Sequence, residues 1–190
     1  MPTPALPALI TLLLLAALLL AAVLSDLRDR RIPNRLVVTG LCLAALMHVG
    51  ALWERQAALA GPAVWSPLAG LLAGGAALMP LYLLRACGAG DVKLMAMVGA
   101  FIGAPTVLRA TLYTLLAGGV LSLIFMLGRG VARQALDNIR FLLTDWAMRL
   151  RGGQGAQLAP LANTAARLPY GVAIAAGTAF ALWQRLQSPG

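Results

Sequence analysis

Charge is scarce in this chain of 190 residues: Asp, Glu, Lys and Arg together make up 11%, and only six residues are acidic. A soluble globular domain carries about a quarter charged residues, so an ordinary water-soluble fold is a poor fit. Histidine occurs once, at His48, and cysteine twice, at Cys42 inside an apolar run and at Cys87 beside a glycine-rich turn. Neither a CxxC nor a Cys/His cluster is present, which argues against a disulfide framework and a structural zinc site. The first residues carry no positive stretch, and the apolar run behind them leads into a charged segment without an obvious cleavage site. That run is expected to be a retained helix rather than a removed signal.

What fills the chain is apolar sequence: 61% of residues are hydrophobic and the mean hydropathy is +0.84. Runs such as Leu6 to Leu24 exceed the roughly 18 apolar residues that read as a bilayer span. The expectation is an all-α polytopic membrane protein, a single membrane-embedded domain over residues 1–190. Six spans are predicted, at about Leu6 to Leu24, Leu36 to Trp53, Pro67 to Leu84, Val92 to Gly103, Val107 to Leu127 and Pro169 to Leu186. The fourth is too short to cross ~30 Å alone, so it either draws in residues from the Pro105 turn or is buried among its neighbours.

The net charge of +9 invites a nucleic-acid reading until the basic residues are located. With both termini outside, twelve of the fifteen Lys and Arg residues fall in cytoplasmic loops, and only Arg55, Arg109 and Arg185 lie outside. That is the positive-inside pattern of a bacterial inner membrane, facing anionic lipid, and it accounts for the charge without nucleic acid. Between the fifth and sixth spans, residues 129–151 repeat Leu136, Ile139, Leu143, Trp146 and Leu150 at helical spacing. An amphipathic helix on the cytoplasmic surface is expected there, as a substrate-docking or gating element or as a basic interfacial helix held by lipid.

Among the six acids, Glu54 belongs to an outer loop beside Arg55, while Asp137 and Asp145 have arginines four residues away. Asp26, Asp29 and Asp91 remain. Asp26 follows the first apolar run, in Ser25-Asp26-Leu27-Arg28-Asp29-Arg30-Arg31-Ile32-Pro33-Asn34. Asp91 stands where the chain re-enters apolar sequence, in Gly88-Ala89-Gly90-Asp91-Val92-Lys93. Both fall at the same membrane boundary. Two carboxylates converging there could share a proton and serve as general base and general acid for water, the chemistry of an aspartic protease, which needs no metal and no other cofactor. Gly88 and Gly90 would allow a tight turn and a close approach just before Asp91. The structural alternatives are that Asp91 caps the helix it begins, that Asp26 pairs with Arg28 or Arg30, and that Asp29 is a solvated loop residue. His48 sits near the outer end of the second span, where an interfacial or packing role suffices. Cys87 has no histidine to activate it. Gly74, Gly75 and Pro80 read as packing and kink residues.

These two segments together resemble the type IV prepilin peptidase family, membrane aspartic proteases with a GxGD motif. Asp26, seven residues before Pro33 of Ile32-Pro33-Asn34, stands at the family's first aspartate position, whereas Asp29 does not. Asp91 stands at the second, in Gly88-Ala89-Gly90-Asp91, followed by the family's usual lysine at Lys93. Pro169-Tyr170-Gly171-Val172-Ala173 is similar to the start of the family's last helix. The resemblance implies Asp26 and Asp91 as the catalytic pair, with Pro33, Asn34, Gly88, Gly90 and Lys93 as supporting motif residues. It also implies cleavage of a short basic leader from a prepilin or pseudopilin at the cytoplasmic face. The zinc-type cysteine cluster and N-methyltransferase of the long bacterial forms have no counterpart here, so the chain looks like the short, peptidase-only form of Flp or tight-adherence pilus systems. Competing readings are a small ion or proton-coupled transporter, for which the carboxylates stand at a boundary rather than at the midplane, and a noncatalytic pilus or secretion assembly subunit, which would not need both aspartates.

Overall fold

The computed structural model describes residues 6–56, 58–84, 86–128 and 170–187, and the described residues are helical with no strand. The helices are α1 (Leu6–Asp29), α2 (Asn34–Trp53), α3 (Ser66–Leu83), α4 (Ala89–Ile102), α5 (Ala104–Gly128) and α6 (Tyr170–Gln187). The surface helix expected over 129–151 lies outside the described residues. The chain divides into two compact units, Met1–Gly118 with Pro169–Gly190, and Gly119–Leu168. Of the second, the described part is the last stretch of α5, where Val120, Leu123 and Ile124 are exposed. Everything below concerns the first.

The outer helices α1 and α2 each bury a narrow stripe and expose the rest. On α1 the buried positions are Thr11, Leu15, Leu19, Ala22 and Asp26, and on α2 they are Val37, Gly40, Ala44, His48 and Ala51. The remaining faces carry large apolar side chains in the open, including Leu13, Leu20, Leu46, Leu72, Leu112 and Leu116. So much exposed leucine suits lipid as the solvent. Among the described residues four helices are long and apolar enough to cross a membrane: α1, α2, α3 and the Ala104–Ile124 part of α5.

The expected count of six spans is therefore met by four helices of membrane length and apolarity. At 14 residues, α4 is about 21 Å long at ~1.5 Å per residue, short of the ~30 Å apolar layer. It is the central helix instead, buried from Leu94 to Ile102 except at half-buried Ala96, and packed against α1, α2, α3 and α6. Burial among neighbours, the second of the two expected outcomes, is how the short segment is accommodated. The sixth helix, α6, has 18 residues but includes Thr178, Gln184, Arg185 and Gln187 and is rich in alanine and glycine. Among the described residues it does not reach the apolarity of the other four.

Glycine lets α3 and α4 touch backbone to backbone. A Cβ on Gly70 would lie 1.9 Å from the Gly99 carbonyl oxygen, and one on Gly99 would lie 2.0 Å from that of Gly70. Gly74, one turn on from Gly70, meets the Met95 carbonyl in the same way, so Gly70-x-x-x-Gly74 is a small-residue packing stripe of the kind that joins membrane helices. The chain reverses from α4 to α5 at Gly103, whose φ of 78° and approach to the Ala60 carbonyl both demand glycine.

Candidate functional site

The buried stripe of α1 advances by three or four residues from Thr11 through Leu15, Leu19 and Ala22, and its next position is Asp26. A carboxylate therefore occupies a place where periodicity would put leucine, and it is 7% exposed, whereas Asp29 is exposed. Burying a carboxylate without a partner is costly. Asp26 finds one 145 residues away: the Gly171 N–H at the start of α6 donates to its Oδ2 at 2.8 Å. Helix α1 ends three residues later because Arg30 takes a left-handed conformation (φ 51°) and returns its N–H to the Asp26 carbonyl at 3.0 Å. The Ser25 hydroxyl donates to the Arg31 carbonyl at 2.8 Å, holding the following loop against the helix. Pro33, extended at φ −63° and ψ 132°, then starts α2.

Asp91 stands in the first turn of α4, also buried. Its Oδ2 accepts the Gly88 N–H at 2.8 Å. This is half of a capping box, since Gly88 has no side chain to return the bond. The capping alternative is therefore real, but it occupies one oxygen. For both Asp26 and Asp91 the hydrogen bond from the described residues falls on Oδ2, and Oδ1 receives none.

The glycines differ from expectation in one respect. Gly88 is extended (φ −88°, ψ 158°), a conformation open to any residue, so its conformational freedom is not what the turn uses. Gly90 is needed for close approach: a Cβ there would meet that of Ile32 at 3.3 Å. The Ile32-Pro33-Asn34 segment is tied to the α4 start a second time by Lys93, whose Nζ donates to Asn34 Oδ1 at 3.0 Å. The two sequence motifs thus lock together through Ile32 on Gly90 and Lys93 on Asn34.

The electrostatics follow from this packing. Asp91 lies ahead of the apolar part of α4, outside the four membrane-length helices, and its carboxyl is pushed up to about 6. Burial is the largest cause, opposed by the Gly88 N–H and reinforced by the negative charge of Asp26. The two carboxylates are therefore near enough to repel. Cys87 belongs to the same cluster, and burial with the Asp91 charge pushes its thiol up to about 11. A thiol so far from ionising is a poor nucleophile. Among the described residues no group of three or more His, Cys, Asp or Glu side chains is arranged to hold a metal ion. The arrangement offers two coupled carboxylates, each steadied through one oxygen, at the shared end of α1, α4 and α6.

His48 and Arg185 are elsewhere, at the opposite helix ends. The His48 Nε2 pairs with the Ala63 carbonyl at 2.9 Å, and Arg185 donates to the carbonyls of Leu59 and Ile102 and to Thr106 Oγ1. Of the residues at the aspartate end, Gly171 and Tyr170 were visible in the sequence only as the start of a helix. The proline and glycine there were a signal of a helix beginning, not of a carboxylate partner.

The sequence model of the type IV leader peptidase family matches residues 13–123, more than half of the chain and inclusive of Asp26 and Asp91. No curated protein and no solved structure matches significantly.

Proposed function

Because the chain belongs to the type IV leader peptidase family, we propose that it is a membrane aspartic endopeptidase that removes the leader of a prepilin or pseudopilin. Asp26 and Asp91 are its water-activating pair. The observation that carries this reading is that two buried carboxylates, one on α1 and one on α4, lie within electrostatic reach of each other. Like charges in that position favour a state in which a single proton is shared.

In the reaction the ionised partner takes a proton from water as its oxygen bonds to the scissile carbonyl carbon, while the protonated partner donates to the carbonyl oxygen. Collapse with protonation of the departing nitrogen breaks the C–N bond, leaving a carboxylic acid and an amine. Asp91, the group pushed toward neutrality, starts as the acid. Asp26, its partner, starts as the base. Gly88, Gly90, Lys93, Pro33 and Asn34 hold the two motifs in register. The substrate helix would lie in lipid with its cleavage point at the cytoplasmic boundary of the inner membrane, where the arginines of the α1–α2 loop face anionic headgroups. Both termini are periplasmic in this scheme, and the six-span topology puts α6 and the part of α4 from Val92 onward inside the apolar layer, screened by their neighbours.

Purified protein in detergent, incubated with a full-length prepilin, should release the leader as a discrete peptide detectable by mass spectrometry, with or without a metal chelator. An intact prepilin after prolonged incubation with folded enzyme would remove the reading and return attention to transport or assembly roles.

A further inference from the structure

The segment matched by the family ends at residue 123, yet Asp26 takes its hydrogen bond from beyond it. Gly171 is buried, and it donates to Asp26 Oδ2 at 2.8 Å from the first turn of α6, where backbone N–H groups have no partner within the helix. The fit leaves no spare room: a Cβ on Gly171 would lie 3.0 Å from that oxygen, 3.3 Å from the Asp26 Cβ and 3.4 Å from its Cγ. Beside it, the Tyr170 ring rests against Gly118 of α5, where an added Cβ would stand 2.9 Å from the phenol oxygen. Further along, Gly177 of α6 closes on Thr114 and the Ala110 carbonyl. The far end of α6 is fastened by Arg185 to Leu59, Ile102 and Thr106. A helix held at its far end, its middle and its first residue delivers one N–H to one carboxylate oxygen.

Resting on the proposed peptidase reading, we propose that Gly171 is a positioning residue of the pair: its N–H fixes Asp26 through Oδ2, leaving Oδ1 as the oxygen that takes the proton from water. Displacing the carboxylate with a methyl group should therefore misalign the base. Since Gly171 touches Asp26 and not the substrate in this scheme, turnover should suffer and affinity should not.

The test compares wild type and Gly171→Ala in prepilin cleavage. The expected result is a kcat at least tenfold lower with KM within twofold. A folded Gly171→Ala enzyme with unchanged kcat would overturn the proposal. Should that variant fail to fold, NMR of glycine-labelled wild type decides: the Gly171 amide proton should resonate downfield, as an N–H that donates to a carboxylate does, and lose that displacement in Asp26→Ala. An amide signal that is the same in both proteins would equally overturn it. Wild-type enzyme that cleaves no prepilin would count against the peptidase reading itself, whereas normal wild-type turnover with an indifferent Gly171→Ala counts only against this one.

Discussion

Replacing Asp91 by Asn should make the protein more stable above neutral pH while abolishing its activity. In the native state the Asp91 carboxyl is raised from 3.8 to about 6, chiefly by burial. The folded protein therefore binds this proton more tightly than the unfolded chain does. Between about pH 4 and 6 the native state holds more protons, so stability declines as pH rises through that window and stays lower above it. A shift of about two units corresponds to about 3 kcal/mol, the upper bound on what the wild type forgoes at pH 8. Asparagine keeps an oxygen for the Gly88 N–H, now 2.8 Å from Oδ2, and carries no charge to bury. Reversible unfolding in mixed detergent micelles, followed by tryptophan fluorescence at pH 8 and pH 3.5, measures the difference directly. Asp91→Asn should exceed wild type by up to about 3 kcal/mol at pH 8 and match it at pH 3.5. A variant that is less stable at pH 8, or equally displaced at both pH values, would refute the claim that burial of charge dominates at this position.

Gly70→Ala and Gly99→Ala should each destabilise the fold by at least about 2 kcal/mol through overpacking, because the new methyl would sit 1.9–2.0 Å from a facing carbonyl oxygen. Gly50→Ala, with nothing within 4 Å of its Cβ, should be neutral or stabilising by up to about 1 kcal/mol, and the same unfolding assay compares them. Activity should survive the Cys42→Ser/Cys87→Ser double replacement and treatment with serine-protease reagents; loss of turnover in the folded double variant would contradict an aspartic mechanism. In that cysteine-free background, a cysteine at Arg30 should react with impermeant reagent only from the cytoplasmic side and one at Glu54 only from the periplasmic side. Labelling of both from one side would reverse the topology.

That Asp26 is buried and Asp29 exposed accords with the pattern of the chain. The distance of Asp26 from Pro33 matched the motif, and its spacing from Leu15, Leu19 and Ala22 continues the buried face of α1. The shortness of the central helix was legible for the same reason, since a 14-residue helix cannot span the apolar layer unaided. The partner of Asp26 was not legible, because every residue except proline carries a backbone N–H and nothing local distinguishes the one at Gly171. Ile32 against Gly90 and Gly70 against Gly99 are likewise contacts between segments, set by how the helices cross. Conversely, Gly88 suggested a turn that only glycine could make, and an ordinary extended conformation makes it. Of the six expected spans, four have membrane length and apolarity among the described residues; α4 is too short to cross alone and α6 carries Thr178, Gln184, Arg185 and Gln187.

The central claim, that Asp26 and Asp91 act as one catalytic unit, is tested most directly by measuring prepilin cleavage for Asp26→Asn, Asp91→Asn, their double variant and Asp29→Asn. All should be assayed as folded protein at equal concentration. Asparagine is nearly isosteric with aspartate but can neither take a proton from water nor donate one as an acid. Each single replacement should therefore abolish leader release, the double variant should be little worse than either, as expected for residues that function together, and the exposed Asp29 variant should retain substantial activity. Normal cleavage by either Asp26→Asn or Asp91→Asn would contradict the account.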